Sequence, residues 1–223
     1  MYCKDTDILL CMKERRRAKQ GVIGIDEVGR GPLAGPVTVC AMYLADPIKS
    51  KQEIFGKTIK DSKKLSKDNR INIFKTINKK RKLNTREYIY AVSSRSANYI
   101  DRYGINKAID ACINSSLLSL QKKGVDIGGA VLNLDGGLRV KKEGLLQFTW
   151  VKGDEKYVEI ALASIMAKVT RDRYMFRKNK LYSQYSFDKH VGYGTALHRE
   201  AIIKHGVTKE HRRSFLSRIL AIL

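Results

Sequence analysis

The sequence predicts an α/β protein: a mixed sheet with helices on both faces and further helices toward its end. Three observations carry that reading. Short β-branched runs separated by Gly/Pro punctuation occupy 21–28 and 37–44, and a third alternating run (EYIYAVS) occupies 87–93. A strongly periodic helix follows at 106–123, and two further strand-like segments lie at 130–134 and 147–152. Helical patterns fill the chain from about 157 onward. A crossover helix of this kind sets the strand at 130 parallel to an earlier strand, with the first as its expected neighbour.

Taken in order, residues 1–20 form a basic lead-in whose KERRRAK run (13–19) reads as a solvated helix end. The first strand places Val22, Ile23 and Ile25 ahead of two adjacent carboxylates, Asp26 and Glu27. It breaks at Gly29-Arg30-Gly31-Pro32, and glycines on both sides of an arginine point to a loop whose backbone approaches something closely. Between 49 and 82, thirteen Lys/Arg accompany three acids, Glu53, Asp61 and Asp68. There Ser66 is placed to cap a helix with Ile71, Ile73, Phe74 and Ile77 on one face. Asn106 is the expected N-cap of the periodic helix, with Ile109, Cys112, Ile113, Leu117 and Leu120 as its stripe and Gly124 as its stop.

Ala130–Leu134 reads as a buried strand that stops at Asp135-Gly136, and Gln147–Lys152 as one that ends at Gly153-Asp154. The long helix over about 157–180 turns Val158, Ala161, Leu162, Ile165 and Val169 to one side. The tail holds the loop HVGYGT (190–195), a helix capped by Thr195, and a last helix from about Ser214.

Composition narrows the function. With 43% hydrophobic and 30% charged residues, a 223-residue chain can bury a real core and is not of the disordered class. Its 44 Lys+Arg against 22 Asp+Glu give a net charge of +22 and a pI of about 9.9. Such a charge opposes compaction and favours a polyanionic partner, nucleic acid ahead of an anionic membrane surface. The four cysteines, at 3, 11, 40 and 112, include no C-x-x-C pair, which argues against a zinc ribbon or a disulfide scaffold. A reducing compartment follows. The apolar patch at 8–12 is too short for a secretory segment, and no apolar run approaches the ~18 residues of a spanning helix. A cytoplasmic monomer with no membrane partner is expected.

The acids carry the chemistry. A carboxylate inside a buried strand is costly unless it is paired or holds a metal. Asp135 ends one strand and Asp154 follows another, and open α/β sheets bind ligands beyond their strand carboxyl ends. Asp26 faces the same cleft if its strand neighbours the one at 130. Carboxylates that converge without cations repel one another and stay partly protonated. Oxygen-only donors with no Cys or His cluster select Mg²⁺ or Mn²⁺ over zinc. Two such ions, about 3.5–4 Å apart, would activate a water and stabilise the leaving oxygen of a phosphodiester.

Adjacent strand residues point to opposite faces. Either the strand kinks before Gly29, or Glu27 contributes through its backbone or from behind the ligands. Asp135-Gly136 taken singly reads as a turn. Asp172 falls on the inward stripe of the long helix, either behind the metal ligands or in a salt bridge with an arginine. His198, His205 and His211 lack ligand spacing with the acids, and His190 and His198 are expected nearer the substrate than the metal.

Together, GIDEVGRGPLAGPV (24–37), DSKKLS (61–66), LNLDG (132–136), VKGDEKY (151–157), ASIMAKVTRDRYM (163–175) and HVGYGT (190–195) resemble ribonuclease HII, in that family's order. The resemblance implies a ribonuclease H-like fold, with a catalytic domain over 21–180 and a substrate-binding extension over 181–223. It implies metal-dependent cleavage of RNA in RNA–DNA hybrids, and 5′ of ribonucleotides embedded in duplex DNA, leaving 5′-phosphate and 3′-hydroxyl ends. Asp26, Glu27, Asp135 and Asp154 would be the catalytic, metal-holding acids. Gly29-Arg30-Gly31 would sense the ribose 2′-OH, the group that distinguishes RNA from DNA. Tyr193 would stack on the sugar at an RNA–DNA junction, and Lys63 and Lys64 would lie near substrate phosphates. Val191 stands where a Lys or Arg often follows His190. Two readings compete: a non-catalytic basic RNA binder, and an integrase or junction nuclease on the same fold. Acids at strand ends count against the first, and the Gly-Arg-Gly turn with Tyr193 counts against the second.

Overall fold

A computed structural model describes residues 21–55, 65–82 and 86–221. The lead-in (1–20), Lys63 and Lys64 lie outside the described residues. The sheet holds β1 (Val22–Val28), β2 (Val37–Leu44), β3 (Tyr88–Arg95), β4 (Val131–Asp135) and β5 (Gln147–Trp150), in the order β3-β2-β1-β4-β5. β1 pairs antiparallel with β2 and parallel with β4; β2 and β3 are antiparallel, β4 and β5 parallel. The sheet is mixed, and the first strand is the neighbour of the strand at 130, as expected.

The helices are α1 (Pro47–Phe55), α2 (Lys67–Lys82), α3 (Ala97–Tyr103), α4 (Ile105–Lys122), α5 (Val158–Leu181), α6 (Phe187–His190), α7 (Ala196–His205) and α8 (Ser217–Leu220). Strand alternation sorts the core into two layers. Ile23 and Ile25 of β1, with Leu132 and Leu134 of β4, pack against Ile109, Cys112, Ile113 and Leu117 of α4. Val22 and Val131 face the other way, onto Ile160, Leu162, Ala163 and Met166 of α5. Gly24 sits where α5 crosses β1: a Cβ there would lie 2.1 Å from the Glu159 carbonyl carbon. Only glycine lets the helix come that close to the strand. A third cluster (Ala34, Met175, Tyr185, Phe187, Ala201, Ile202 and Leu216) docks the C-terminal segment on α5 and on the turn after β1.

Ser66 and Thr195 cap their helices as the sequence predicts, accepting from Asn69 N–H (3.1 Å) and His198 N–H (3.3 Å). Asn106 does not cap α4. The helix starts one residue earlier, after Gly104 at φ 83°, because α3 occupies the residues just before it. β5 ends at Trp150, short of 152. The Gly153 N–H donates to Asp135 Oδ1 (2.7 Å), which draws the chain across the end of β4 and forces Lys152 into a left-handed conformation. β3 runs further than 87–93 because it pairs along the whole of β2. Among the described residues, no helix is long and apolar enough to cross a membrane.

Candidate active site

The last β1–β4 pair is Ile25 with Leu134, so Asp26 and Asp135 are the next residues along two parallel neighbours. Alternation puts both on the α5 face: Asp26 lies opposite Cys40, and Asp135 opposite Trp150, both in the α5-side core. Asp154 reaches that face from a short 3₁₀ turn, Gly153–Glu155, and is buried. The three predicted aspartates thus lie at or just beyond the carboxyl ends of β1, β4 and β5.

Local bonds hold each one. Asp26 accepts from its neighbour's N–H, that of Glu27 (2.7 Å), and from the Ser164 hydroxyl on α5. Burial pushes the Asp26 carboxyl well above the usual carboxylate range; the Ser164 bond opposes this, and the charges of Asp135 and Glu27 add to it. Burial also raises Glu27, against the charge of Arg30 and with that of Asp135.

The β1–β2 ladder is regular through Val28–Thr38, so the strand does not kink before Gly29. Alternation starts Glu27 on the side of β1 opposite Asp26, but at the strand end it still borders the cleft with Asp154 and Ser164, and its Oε1 lies 3.6 Å from Arg30 Nη1. Arg30 also donates to Asn106 Oδ1 (3.0 Å), which explains why Asn106 serves the turn rather than the helix cap. Gly29 has φ 86°, and a Cβ there would lie 2.3 Å from Arg171 Nε. Gly31 is exposed, and a Cβ would meet nothing within 4 Å. Tyr193 is 42% exposed at the tip of its loop, and Gly192 just before it accepts from Leu33 N–H (2.8 Å) and Ala34 N–H (3.2 Å).

An open cleft of about 210 Å³ lies beside the acids, lined by Glu27, Arg70, Asp154, Ser164 and Lys168. Among the described residues Asp172 pairs with Lys168 (2.9 Å) rather than with an arginine, one side chain removed from that cleft. The oxygen-only donor set and the mutually repelling carboxyls suit a hard divalent cation. Among the described residues, no three His, Cys, Asp or Glu side chains are already gathered into a metal-holding group.

Several supports of the site carry no signal in the sequence. Ser164, Arg70 and Lys168 sit on helices whose periodicity gave no hint of the cleft. Beneath the site, Asn133 donates to Glu159 Oε1 (2.8 Å) and accepts from Trp150 Nε1 (2.8 Å). His190 and His198 are buried under the Tyr193 loop and do not face outward: His190 Nε2 meets the Tyr185 carbonyl (2.8 Å) and His198 Nδ1 the Tyr193 carbonyl (2.9 Å).

A family model described as Ribonuclease HII matches residues 23–218. The chain belongs to the ribonuclease HII family. It is therefore a nuclease of the hydrolase class. A ribonuclease HII of Prochlorococcus marinus is 41% identical over 196 residues, covering 88% of this chain and 96% of that one. Among solved structures, the ribonuclease HII in a PCNA complex from Archaeoglobus fulgidus superposes with a TM-score of 0.67 at 25% identity, over 86% of this chain and 93% of that one. Bst-RNase HIII in complex with Mn²⁺ shares the fold, with a TM-score of 0.69 at 20% identity over 94% of this chain and 72% of that one.

Proposed function

We propose that this family member hydrolyses the RNA strand of RNA–DNA hybrids and cuts duplex DNA 5′ of embedded ribonucleotides by a two-metal-ion mechanism. The products would carry 5′-phosphate and 3′-hydroxyl ends. The observation that supports the reading is that Asp26 and Asp135 lie side by side at neighbouring strand ends and Asp154 just beyond the end of β5, with the Arg30 turn directly after β1. Mg²⁺ or Mn²⁺, when bound, would neutralise the acids, activate a water and stabilise the leaving oxygen. The Mn²⁺ complex of Bst-RNase HIII, which shares the fold, supports such a cation.

The chain's own groups divide the remaining work. Asp26, Asp135 and Asp154 offer the oxygen ligands, and Glu27 joins from the border of the cleft, where Arg30 holds it. Arg70 and Lys168 put positive charge on the cleft wall, suited to substrate phosphates. The Gly29-Arg30-Gly31 turn reads the ribose 2′-OH, and the exposed Tyr193 ring offers a surface on which a sugar or base can stack. Lys63 and Lys64, in the DSKKLS block, would meet substrate phosphates. The enzyme would act as a cytoplasmic monomer, with catalysis in 21–180 and substrate grip in 181–223.

The test is a duplex DNA with a single ribonucleotide, incubated with Mg²⁺ or Mn²⁺. Cleavage on the 5′ side of that residue is expected. Equal cutting of the all-DNA duplex would remove the ribose-reading role.

A further inference from the structure

Arg171 on α5 and Arg212, after α7, are both fully buried under the turn that joins β1 to β2. Each directs its guanidinium at main-chain carbonyls. Arg171 donates to the carbonyls of Pro36 (2.9 Å), Ala34 (3.0 Å) and Val191 (2.9 Å). Arg212 donates to those of Gly35 (3.0 Å), Arg30 (3.0 Å) and Gly29 (2.6 Å). The main chain adds to the clamp: Arg212 N–H donates to Leu33 O (2.8 Å) and Gly35 N–H to Glu210 O (2.8 Å). Gly192 fits against this surface only as glycine, since a Cβ would lie 2.3 Å from the Ala34 oxygen at φ 89°.

Burying a guanidinium is costly unless its N–H groups find acceptors. Two of them here lie close together. Burial, and then the neighbouring charge of Arg171, lowers Arg212 to about 9. Apolar filler could close a turn at smaller cost. What the two cations add is geometry: they fix the peptide planes on both sides of Arg30 and tie that turn to the loop carrying Tyr193.

We propose that Arg171 and Arg212 are positioning residues for ribose recognition. They hold the Gly29-Arg30-Gly31 turn and the Tyr193 loop as one rigid surface, and discrimination between RNA and DNA depends on them although both are buried away from the substrate. The inference rests on the ribose-reading role proposed above. Charge attracts any duplex, whereas telling one hydroxyl from a hydrogen needs donors and acceptors held in place.

Arg212→Lys and Arg171→Lys keep the charge and remove the planar fork that spans three carbonyls. In the full-length protein, each is expected to lower kcat/KM on the single-ribonucleotide duplex at least ten-fold, mostly through kcat. Affinity for an all-DNA duplex, measured without divalent cation, should stay within two-fold, and the protein should remain folded at the assay temperature. Unchanged cleavage overturns the proposal. So does a parallel fall of cleavage, DNA affinity and melting temperature in both variants, which would assign the arginines to folding alone. If the parent enzyme cuts ribose-containing and all-DNA duplexes equally, the ribose reading itself fails, and that is visible before any variant is made.

Discussion

Asp26 and Asp135 lie one residue beyond the last rung that joins β1 to β4, on the same face of the sheet. Parallel pairing places them side by side, and burial with like charge raises Asp26. A divalent cation shared by the two carboxyls would offset that repulsion. We expect Asp26→Asn and Asp135→Asn to lower Mg²⁺- or Mn²⁺-dependent cleavage at least a thousand-fold, as loss of a transition-state-stabilising charge does. Hybrid binding without metal should persist. A variant that cleaves like its parent would refute the metal assignment.

Tyr193 stands at the tip of a loop held from below, so its ring can be removed without disturbing the fold. Tyr193→Ala should weaken cleavage of the single-ribonucleotide duplex by about ten-fold, in line with one lost stacking contact of ~1–3 kcal/mol. A long hybrid should suffer less. Equal losses on both substrates would sink the junction role.

Glycines in the first block separate fold from function. Gly24→Ala drives a methyl into the Glu159 backbone and should destabilise by about 3 kcal/mol, at the upper end of overpacking effects, read in a urea melt. Gly31→Ala meets open space and should leave the melt unchanged while lowering activity on ribose-containing duplexes. Unaltered activity in Gly31→Ala would place the substrate away from this part of the turn.

The histidines set an acid limit. Thr208 N–H donates to His211 Nδ1 (2.9 Å), so the His211 proton sits on Nε2 and is donated to His198 Nε2 (3.1 Å). His198 then donates from Nδ1 to the Tyr193 carbonyl (2.9 Å). Protonation would set two N–H groups against each other. Burial lowers both rings to about 4. The unfolded chain therefore binds protons first: stability is complete above about pH 6.5 and falls as pH drops toward 4, by about 1.4 kcal/mol per pH unit for each ring. Melting followed from pH 7 to 4.5 should show this slope, and His211→Asn should flatten it. A slope unaffected by the substitution would contradict the neutral pair.

Lys75 and Lys79 are exposed on α2, which continues the basic run. Replacing both with alanine should weaken hybrid binding about equally for different sequences and reduce the salt slope by about 1 per lost phosphate contact. An unchanged slope would make α2 a solvated face.

The sheet, its parallel β1–β4 pairing and the three aspartates at strand ends were legible in the sequence, because period-2 alternation and Gly/Pro breaks are local signals. The helix start at Ile105 was not, since α3 and its Gly104 junction override the capping preference of Asn106. Ser164, Lys168 and Arg70 were hidden for a different reason. They become neighbours of Asp26 or the cleft only once α5 and α2 pack on the sheet, and helical spacing does not encode what a helix packs against. Asp172 is half-buried on α5, and its partner is Lys168, four residues back along the same helix. Arg171 and Arg212 carry no local mark of their role at all.

The bond from Arg212 to the Gly29 carbonyl spans 183 positions of the chain. During synthesis from the N-terminus, β1 and its aspartates emerge long before the group that fastens the turn beside them. A chain halted anywhere short of 212 would have acids for cutting without a braced surface for choosing where to cut. On the bracing role proposed for Arg212, selectivity would be completed only after the chain has grown past that residue.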